Sequence, residues 1–405
     1  MGTGSLSLPS QVARTDVPSG RARGHVVVIV PDYLPALGGT TTQSRAHALE
    51  LVRRGWRVTV LTRRVHWGGG REQLDGVQVR RVSVPGRSRL AKLPSLACHW
   101  WWLVRHRRAI DAVSVIMDAD FAVCCRLAAI SAPAAVTWVT NGDARRQLSG
   151  RKGALRRRAL GGCSHVVLSE AMSAELRETA GFFADVIPVP VDLVAFRPPG
   201  PAERAVARQA LDVRDARAVV SVGHLQARKG IRQLVEATHV LRDRGLDVVL
   251  FVVGGPVEPE DATYAEGVRR LARDRGLEAF VRFVGPTPDV LPYLWAADVF
   301  CLASEREGTP NVLLEAMACG VPCVAPPSAG GNELLAGGAG WVPPSNDPAD
   351  LAAAISSVLT PTAGTRMAKM ARERVERDHR VAAVVDRYED VLGLSRCRGG
   401  RAVTR

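Results

Sequence analysis

No apolar run in this chain reaches the roughly 18 residues that a membrane-spanning helix requires. No Cys-x-x-Cys pair occurs among the eight cysteines. Cys124 and Cys125 are adjacent, Cys319 and Cys323 stand four apart, and the spacing indicates small buried thiols, not a zinc frame or disulfide scaffold. Residues 1–23 are polar, dotted with Gly, Ser and Pro, and lack the apolar core of a signal peptide; they read as a loose tail, and the setting as a reducing cytoplasm. Gly-x-Gly-x-x-Gly is missing too, and no acid closes the second strand, which argues against a dinucleotide cofactor. Acid is also absent from two basic stretches. Residues 87–108 carry six Arg/Lys and residues 145–158 carry seven, nearly the whole net charge of +14. Such patches suit phosphates or an anionic membrane, or are solvated faces of an Arg-rich protein. No nucleic-acid recognition motif accompanies them, so nucleic acid is not expected as a partner.

What is present is 405 residues, 46% hydrophobic and 23% charged: globular, and long enough for two domains with separate cores. Short continuous apolar runs recur at 25–31, 58–62, 113–116, 135–140, 165–169 and 186–191, and again at 218–223, 247–255, 281–285, 298–304 and 321–326. Continuous runs fit strands buried on both faces, and amphipathic stretches such as 231–244 lie between them. The pattern predicts an α/β fold of two Rossmann-like, doubly wound domains facing across a cleft. A Pro-rich seam at 196–204 reads as the linker between an N-terminal domain at 24–195 and a C-terminal one at 205–364. A last helical region at 365–393 is expected to return to the first domain, followed by a basic tail at 394–405.

In doubly wound sheets ligands bind beyond the carboxyl ends of the strands, so the loops after strands are where chemistry is sought. After the strand at 298–304 come Glu307, Gly308, Thr309, Pro310 and Asn311, then a helix holding Glu315. The first-turn N–H groups of Asn311, Val312 and Leu313 can receive phosphate or hydroxyl oxygens. A carboxylate at Glu315 can accept from both hydroxyls of a ribose, and Glu307 can accept from a sugar. After the strand at 218–223 come Gly223, His224 and the cations Arg228 and Lys229, suited to a diphosphate. After the first strand, Gly38 and Gly39 open a Thr-rich helix where backbone can approach a ligand. Asp118 and Asp120 have the spacing of a metal-binding Asp-x-Asp, but their place at a strand end in the first domain argues against a metal role; no metal and no cofactor are expected.

These elements, in order, resemble glycosyltransferase family 4, whose members have the GT-B fold. The resemblance rests on the early Gly-Gly loop, Val222-Gly223-x-Leu225-x3-Lys229-Gly230, the Val-x-Phe-x-Gly strand ending at Gly285, the Glu307-x7-Glu315 box, and Asp192-x3-Phe196. It spans roughly residues 25–393. It implies transfer of a sugar, with retention and an α-linkage, from a UDP- or GDP-sugar. By resemblance Glu315 holds ribose, Glu307 orients the sugar, and Arg228 or Lys229 holds diphosphate in place of a metal. His224 stands where many relatives have Arg, Pro190 where a small or amide residue is common, and Asn141-Gly142-Asp143 where a His is usual; Asn141 and Asp143 are therefore the acceptor-side candidates, with Gly38. A phosphorylase, an epimerase or a silent nucleotide-sugar-binding subunit are the competing classes; both box glutamates are present, against the last. Leu93, Leu96, Trp100, Leu103 and Val104 recur at helical spacing within the first basic stretch. Either this helix lies on the anionic inner membrane face, serving a lipid-linked or phosphorylated acceptor, or its tryptophans are core and the acceptor is soluble.

Overall fold

The computed structural model describes residues 22–36, 38–63, 70–82, 89–140, 142–327 and 329–395. Two parallel sheets form. The first contains β1 (His25–Ile29), β2 (Arg57–Thr62), β3 (Arg71–Leu74), β4 (Val77–Arg81), β5 (Ala112–Ile116), β6 (Ala134–Trp138), β7 (Ser164–Val167) and β8 (Asp185–Val186). Their order is β3-β4-β2-β1-β5-β6-β7-β8, parallel except for the β3–β4 hairpin. The second contains β9 (Arg217–Val222), β10 (Val248–Val253), β11 (Val281–Gly285), β12 (Val299–Cys301) and β13 (Cys323–Val324), in the order β11-β10-β9-β12-β13. Every strand read from the sequence is found. The central ones, such as Val26–Ile29 and Val248–Val253, are buried along their whole length because helices cover both faces.

The differences have local causes. The hairpin of β3 and β4 was not anticipated: Arg71–Leu74 is polar and largely exposed, as an edge strand should be. The run at 186–191 yields only the two-residue β8, since Pro188 and Pro190 have no N–H to continue a ladder. The expected linker 196–204 includes the first turn of a helix, Pro201–Ala210. Arg204 and Arg208 of that helix both grip Asp298, at 2.9 and 2.8 Å, and so fasten it to the second sheet. The final helical region is two helices, Pro361–Asp378 and Val381–Val391, separated at His379-Arg380, where Arg380 pairs with Val191. The first packs on the second domain against the Asn311–Ala318 helix, the second on the first domain against the Gly39–Arg53 helix.

That return is held by a buried acid. Glu389 accepts from Arg54 Nη1 at 2.9 Å and from Trp56 Nε1 at 2.8 Å, and Arg54 also reaches Glu50, Asp386 and the Ala382 carbonyl. Tyr388 beside it is fully buried, its hydroxyl 3.3 Å from that of Thr137. Removing the acid leaves the Trp56 indole N–H without its buried partner and takes one of three carboxylates from Arg54, which keeps Glu50 and Asp386. Glu389→Ala is therefore expected to cost about 2–3 kcal/mol in urea unfolding; a loss below about 1 kcal/mol, the scale of a surface pair, would show that packing alone seats the last helix.

Candidate active site

The carboxyl ends of the two sheets face each other, and loops from both meet there. Asn311, first residue of the Asn311–Ala318 helix, donates its side-chain amide to the Gly39 carbonyl at 2.8 Å. Gly308 lies against the chain after β6; a Cβ there would stand 2.8 Å from the Val139 carbonyl oxygen, so only glycine allows this approach. The Glu307–Asn311 loop of the second domain thus closes on two loops of the first. Thr309, between these contacts, lines a cavity of about 490 Å³ shared with Leu168, Glu170, Pro188 and Glu333.

On the second-domain side the sheet edge is stripped of side chains. Gly223, Gly254 and Gly285 end or directly follow three adjacent strands, β9, β10 and β11. Gly254 has a φ of +128°, a Cβ on it would fall 2.0 Å from the Gly223 carbonyl oxygen, and its N–H donates to Gly285 at 2.9 Å. Backbone at these three positions is therefore bare of side chains and partly exposed at the strand ends. Gly254 was not singled out from the sequence; glycine at the end of three neighbouring strands was the available signal.

The charged residues are drawn together. Arg228 and Lys229 form a single helical turn after β9, and the Glu305 N–H donates to the Arg228 carbonyl at 2.9 Å, zipping this turn to the Glu307 loop. Lys229 donates its ammonium to Glu307 Oε1, and Arg228 Nη1 is 3.8 Å from Oε2. Glu307 and Lys229 are mostly buried, whereas Arg228 is about half exposed. His224 is exposed on the loop; partial desolvation of its ring, aided by the neighbouring cations Lys229 and Arg228, lowers its pKa and favours the neutral imidazole. It can hydrogen-bond there but adds no charge.

Glu315 is one turn into its helix and buried. No described residue makes an ion pair or hydrogen bond with its carboxyl group, and burial alone pushes its pKa up to about 7. Leu313, fully buried, has its N–H bonded to the Pro310 carbonyl at 3.1 Å. Only Asn311 and Val312, not all three first-turn residues, therefore keep N–H groups without a backbone acceptor among the described residues.

On the first-domain side, Gly38 precedes the Gly39–Arg53 helix with open space around it: a Cβ there would meet nothing within 4 Å. Asn141 lies outside the described residues. Asp143 begins the helix Asp143–Leu148 but is buried; Oδ1 accepts from Arg146 at 2.5 Å, Oδ2 has no hydrogen-bond partner among the described residues, and burial raises its pKa against the pull of Arg146. The helix is anchored by a residue the sequence did not flag: Glu175 accepts from the N–H groups of Gly142 and Arg145 at 2.7 and 3.1 Å. Asp118 caps the Ala119–Leu127 helix through the Asp120 N–H, and Asp120 is held in a two-pronged contact by Arg156 at 2.6 and 3.0 Å. Among the described residues no group of three or more His, Cys, Asp or Glu could hold a metal ion.

Two family models match the chain: "Glycosyl transferase 4-like domain" over residues 38–192 and "Glycosyl transferases group 1" over residues 216–361. They meet one domain each and together cover about three quarters of it. The chain belongs to the family 4 type of glycosyltransferase. Among curated relatives of this glycosyltransferase, the lipopolysaccharide core biosynthesis glycosyltransferase LpsE of Rhizobium meliloti is 34% identical over 191 residues, 46% of this chain and 53% of its own length. The chain spans about half the length, or less, of the curated relatives it matches. Two solved structures share the fold over nearly the whole chain. Sucrose-phosphate synthase from Thermosynechococcus elongatus has a TM-score of 0.77 at 22% identity, covering 93% of this chain and all of that one. HepE of Anabaena in complex with UDP-glucose has a TM-score of 0.74 at 19% identity, covering 91% and 99%. Their likeness establishes the GT-B architecture of two Rossmann-like domains.

The buried carboxyl of Glu315 gives the unliganded glycosyltransferase a measurable signature. Its folded pKa is about 7, above the ordinary 4.5, so the folded state holds the extra proton between these values. Stability attached to that proton is complete below pH 4.5 and lost as pH rises through 7. Glu315→Gln removes the ionising group and is expected to raise stability above pH 7 by up to about 3 kcal/mol, the gain shrinking to nothing toward pH 4.5. Equal stability of the two proteins in urea at pH 8 would show that the carboxylate has a partner after all.

Proposed function

We propose that this glycosyltransferase moves a hexosyl group from a nucleotide-sugar to an acceptor hydroxyl with retention, without a metal ion. The observation that carries the reading is Glu315: a buried carboxyl with no partner among the described residues, one turn along from two N–H groups without a backbone acceptor among them, and in the same box as the Glu307–Lys229–Arg228 cluster. Burying such a group is costly unless a ligand supplies its hydrogen bonds. A ribose diol does so, donating two O–H groups to one carboxylate. The bare backbone at Gly223, Gly254 and Gly285 leaves room for a planar base, and Arg228, Lys229 and the Asn311 and Val312 N–H groups lie on the loops that would receive the diphosphate. HepE, of the same fold, binds UDP-glucose, which makes UDP-sugars the first donors to try, with GDP-sugars beside them.

In this reading the bond from the sugar's C1 to the diphosphate oxygen breaks and its electron pair leaves with the diphosphate. The acceptor oxygen bonds to C1 on the same face, and its proton passes to the departing phosphate oxygen. Lys229 and Arg228 stabilise the charge that develops on the leaving group. Without a donor these cations are held by Glu307; the incoming diphosphate draws on them, and Glu307 turns to the hydroxyls of the donor sugar. The closed contacts Gly39–Asn311 and Gly308–Val139 exclude water from the reacting bond. A lipid-linked or phosphorylated acceptor at an anionic membrane fits the basic stretches, and the relative LpsE is named for lipopolysaccharide core synthesis.

A thermal-shift panel of UDP-, GDP-, ADP- and TDP-sugars tests the donor, since a bound donor raises the melting temperature by mass action. Stabilisation by none of them would overturn the reading. With the donor known, Glu307→Gln is expected to lower kcat by about 10²-fold while donor affinity moves by less than about three-fold, because the change removes a contact to the reacting sugar and relieves Lys229 of a competitor. Wild-type turnover in that variant would remove Glu307 from the reaction. Activity is expected to survive EDTA; a complete loss restored by Mg²⁺ or Mn²⁺ would show that the two cations do not replace a metal.

A further inference from the structure

The two basic stretches are separated in the sequence by some forty residues, β5 and β6, yet the fold lays the helices Arg89–His106 and Gly150–Leu160 that run through them on one face of the sheet. The connections β4 to β5, β5 to β6 and β6 to β7 all step in the same direction along the first sheet. Right-handed crossovers that step the same way put their helices on the same face. The helices Arg89–His106, Ala119–Leu127 and Gly150–Leu160 accordingly pack side by side in that order, with Ala119–Leu127 in the middle. The Gly39–Arg53 and Val381–Val391 helices pack together elsewhere on the domain.

The outer side of this layer is unusual in two respects. Large apolar side chains stand out of it: Leu93 is 74% exposed, Trp101 60%, Leu127 69% and Leu155 73%, with Trp100 also exposed. One exposed leucine means nothing, but five such residues on three adjoining helices make a patch of the kind that marks an interaction surface. The tryptophan run divides: Trp102 and Leu103 enter the core with His99, Leu96 and Val104 are half-buried, and Trp100 and Trp101 point outward, so the apolar spacing seen in the sequence serves both sides of the helix. Between the first two helices runs an apolar groove of about 310 Å³, walled by Leu96, Ala97, Trp100, Val123, Cys124 and Leu127. The three helices and the turn after the first also carry the exposed cations Arg105, Arg107, Arg108, Arg126, Arg151, Lys152 and Arg158, with Arg105 packed over the Trp101 ring at 5.8 Å. The three helices contain one acid, Asp120, and Arg156 holds it.

We propose that this three-helix layer is a docking face for an anionic lipid bilayer, with the exposed Leu and Trp side chains entering the interface, the Arg and Lys side chains meeting the headgroups, and a lipid chain occupying the groove. Charge complementarity selects the partner: a cationic rim around outward apolar side chains matches a surface that is anionic outside and hydrocarbon beneath. The face also leads to the cleft. The Ala119–Leu127 helix starts at the carboxyl end of β5, so Asp120 marks the cleft end of the groove and Leu127 the far end. The proposal rests on the lipid-linked-acceptor reading for what travels along that route, whereas the docking itself is independent of any sugar transfer.

Co-sedimentation of the whole protein with vesicles, without donor, tests it. Wild type is expected to sediment with phosphatidylglycerol–phosphatidylcholine vesicles at low salt, to release as salt rises, and to ignore pure phosphatidylcholine. Each cation at an anionic surface contributes about 1 kcal/mol, about five-fold in partitioning. R105A/R107A/R108A and R151A/K152A/R158A should therefore each lose about a hundred-fold, and W101S/L127S should sediment weakly at any lipid charge. Thermal unfolding of each variant, with its stabilisation by nucleotide-sugar, checks that fold and donor site are intact. Absence of wild-type binding at low salt overturns the docking face. Undiminished binding of R151A/K152A/R158A overturns the three-helix surface, and undiminished binding of W101S/L127S overturns insertion. If wild type binds anionic vesicles, the variants lose binding as expected, and none of the proteins binds any nucleotide-sugar, the transferase reading fails and the docking face stands.

Discussion

A parallel strand delivers every following loop at its carboxyl edge, and in this chain two parallel sheets turn those edges toward each other. The rest depends on how closely the edges approach. Gly308 against the Val139 carbonyl and Asn311 on the Gly39 carbonyl set that distance, and neither contact tolerates much: a single Cβ at Gly308 would meet backbone at 2.8 Å. The approach brings residues more than 160 positions apart into one small volume. The last helix, seated by Glu389 on Arg54 and Trp56, ties the far end of the chain to the first domain and so joins the two bodies at a second place.

Within the cleft, charge is distributed in two contrasting ways. Glu307 is neutralised by Lys229 and Arg228, so the cluster is stable while nothing is bound. Glu315 has no neutralising partner among the described residues and keeps its own proton, which burial retains up to about pH 7. The first arrangement costs little and is exchanged when an anion arrives; the second is a standing destabilisation that hydrogen-bond donors from a ligand would relieve. Two carboxylates of one sequence box thus have opposite electrostatic environments, because one is on the loop before the helix and the other is one turn inside it.

The same crossovers that align the loops with the cleft also sort the helices by side. Arg-rich and Trp-bearing helices fall together on one face, while the returning C-terminal helix packs against the Gly39–Arg53 helix. Position on the sheet therefore couples the loops at the strand ends to the character of the outer surface: Asp118 and Asp120 use their charge to cap one helix and to bind Arg156 of the next, which locks the layer where it reaches the cleft.

Much of this was legible in the chain. Strands buried on both faces are continuous apolar runs, and each such run became a strand; the Glu-x7-Glu box and Arg228-Lys229-Gly230 announced themselves by following strands. The hairpin of β3 and β4 escaped because exposed edge strands have polar sequences, and the break between the last two helices escaped because Arg380 pairs with Val191, a partner 189 residues away. Glu175 and Gly254 act only through neighbours in space: one caps a helix 33 residues earlier, the other slips beneath the Gly223 carbonyl of the adjacent strand. By itself the sequence determined the class of fold, the two-domain layout and the types of residue at the cleft, since periodicity and post-strand placement are local properties. Which carboxylate is paired and which is bare, how far the domains close, and that two distant basic stretches share one face were decided by tertiary structure alone, because each depends on distances between segments that have no fixed relation until the sheets pack.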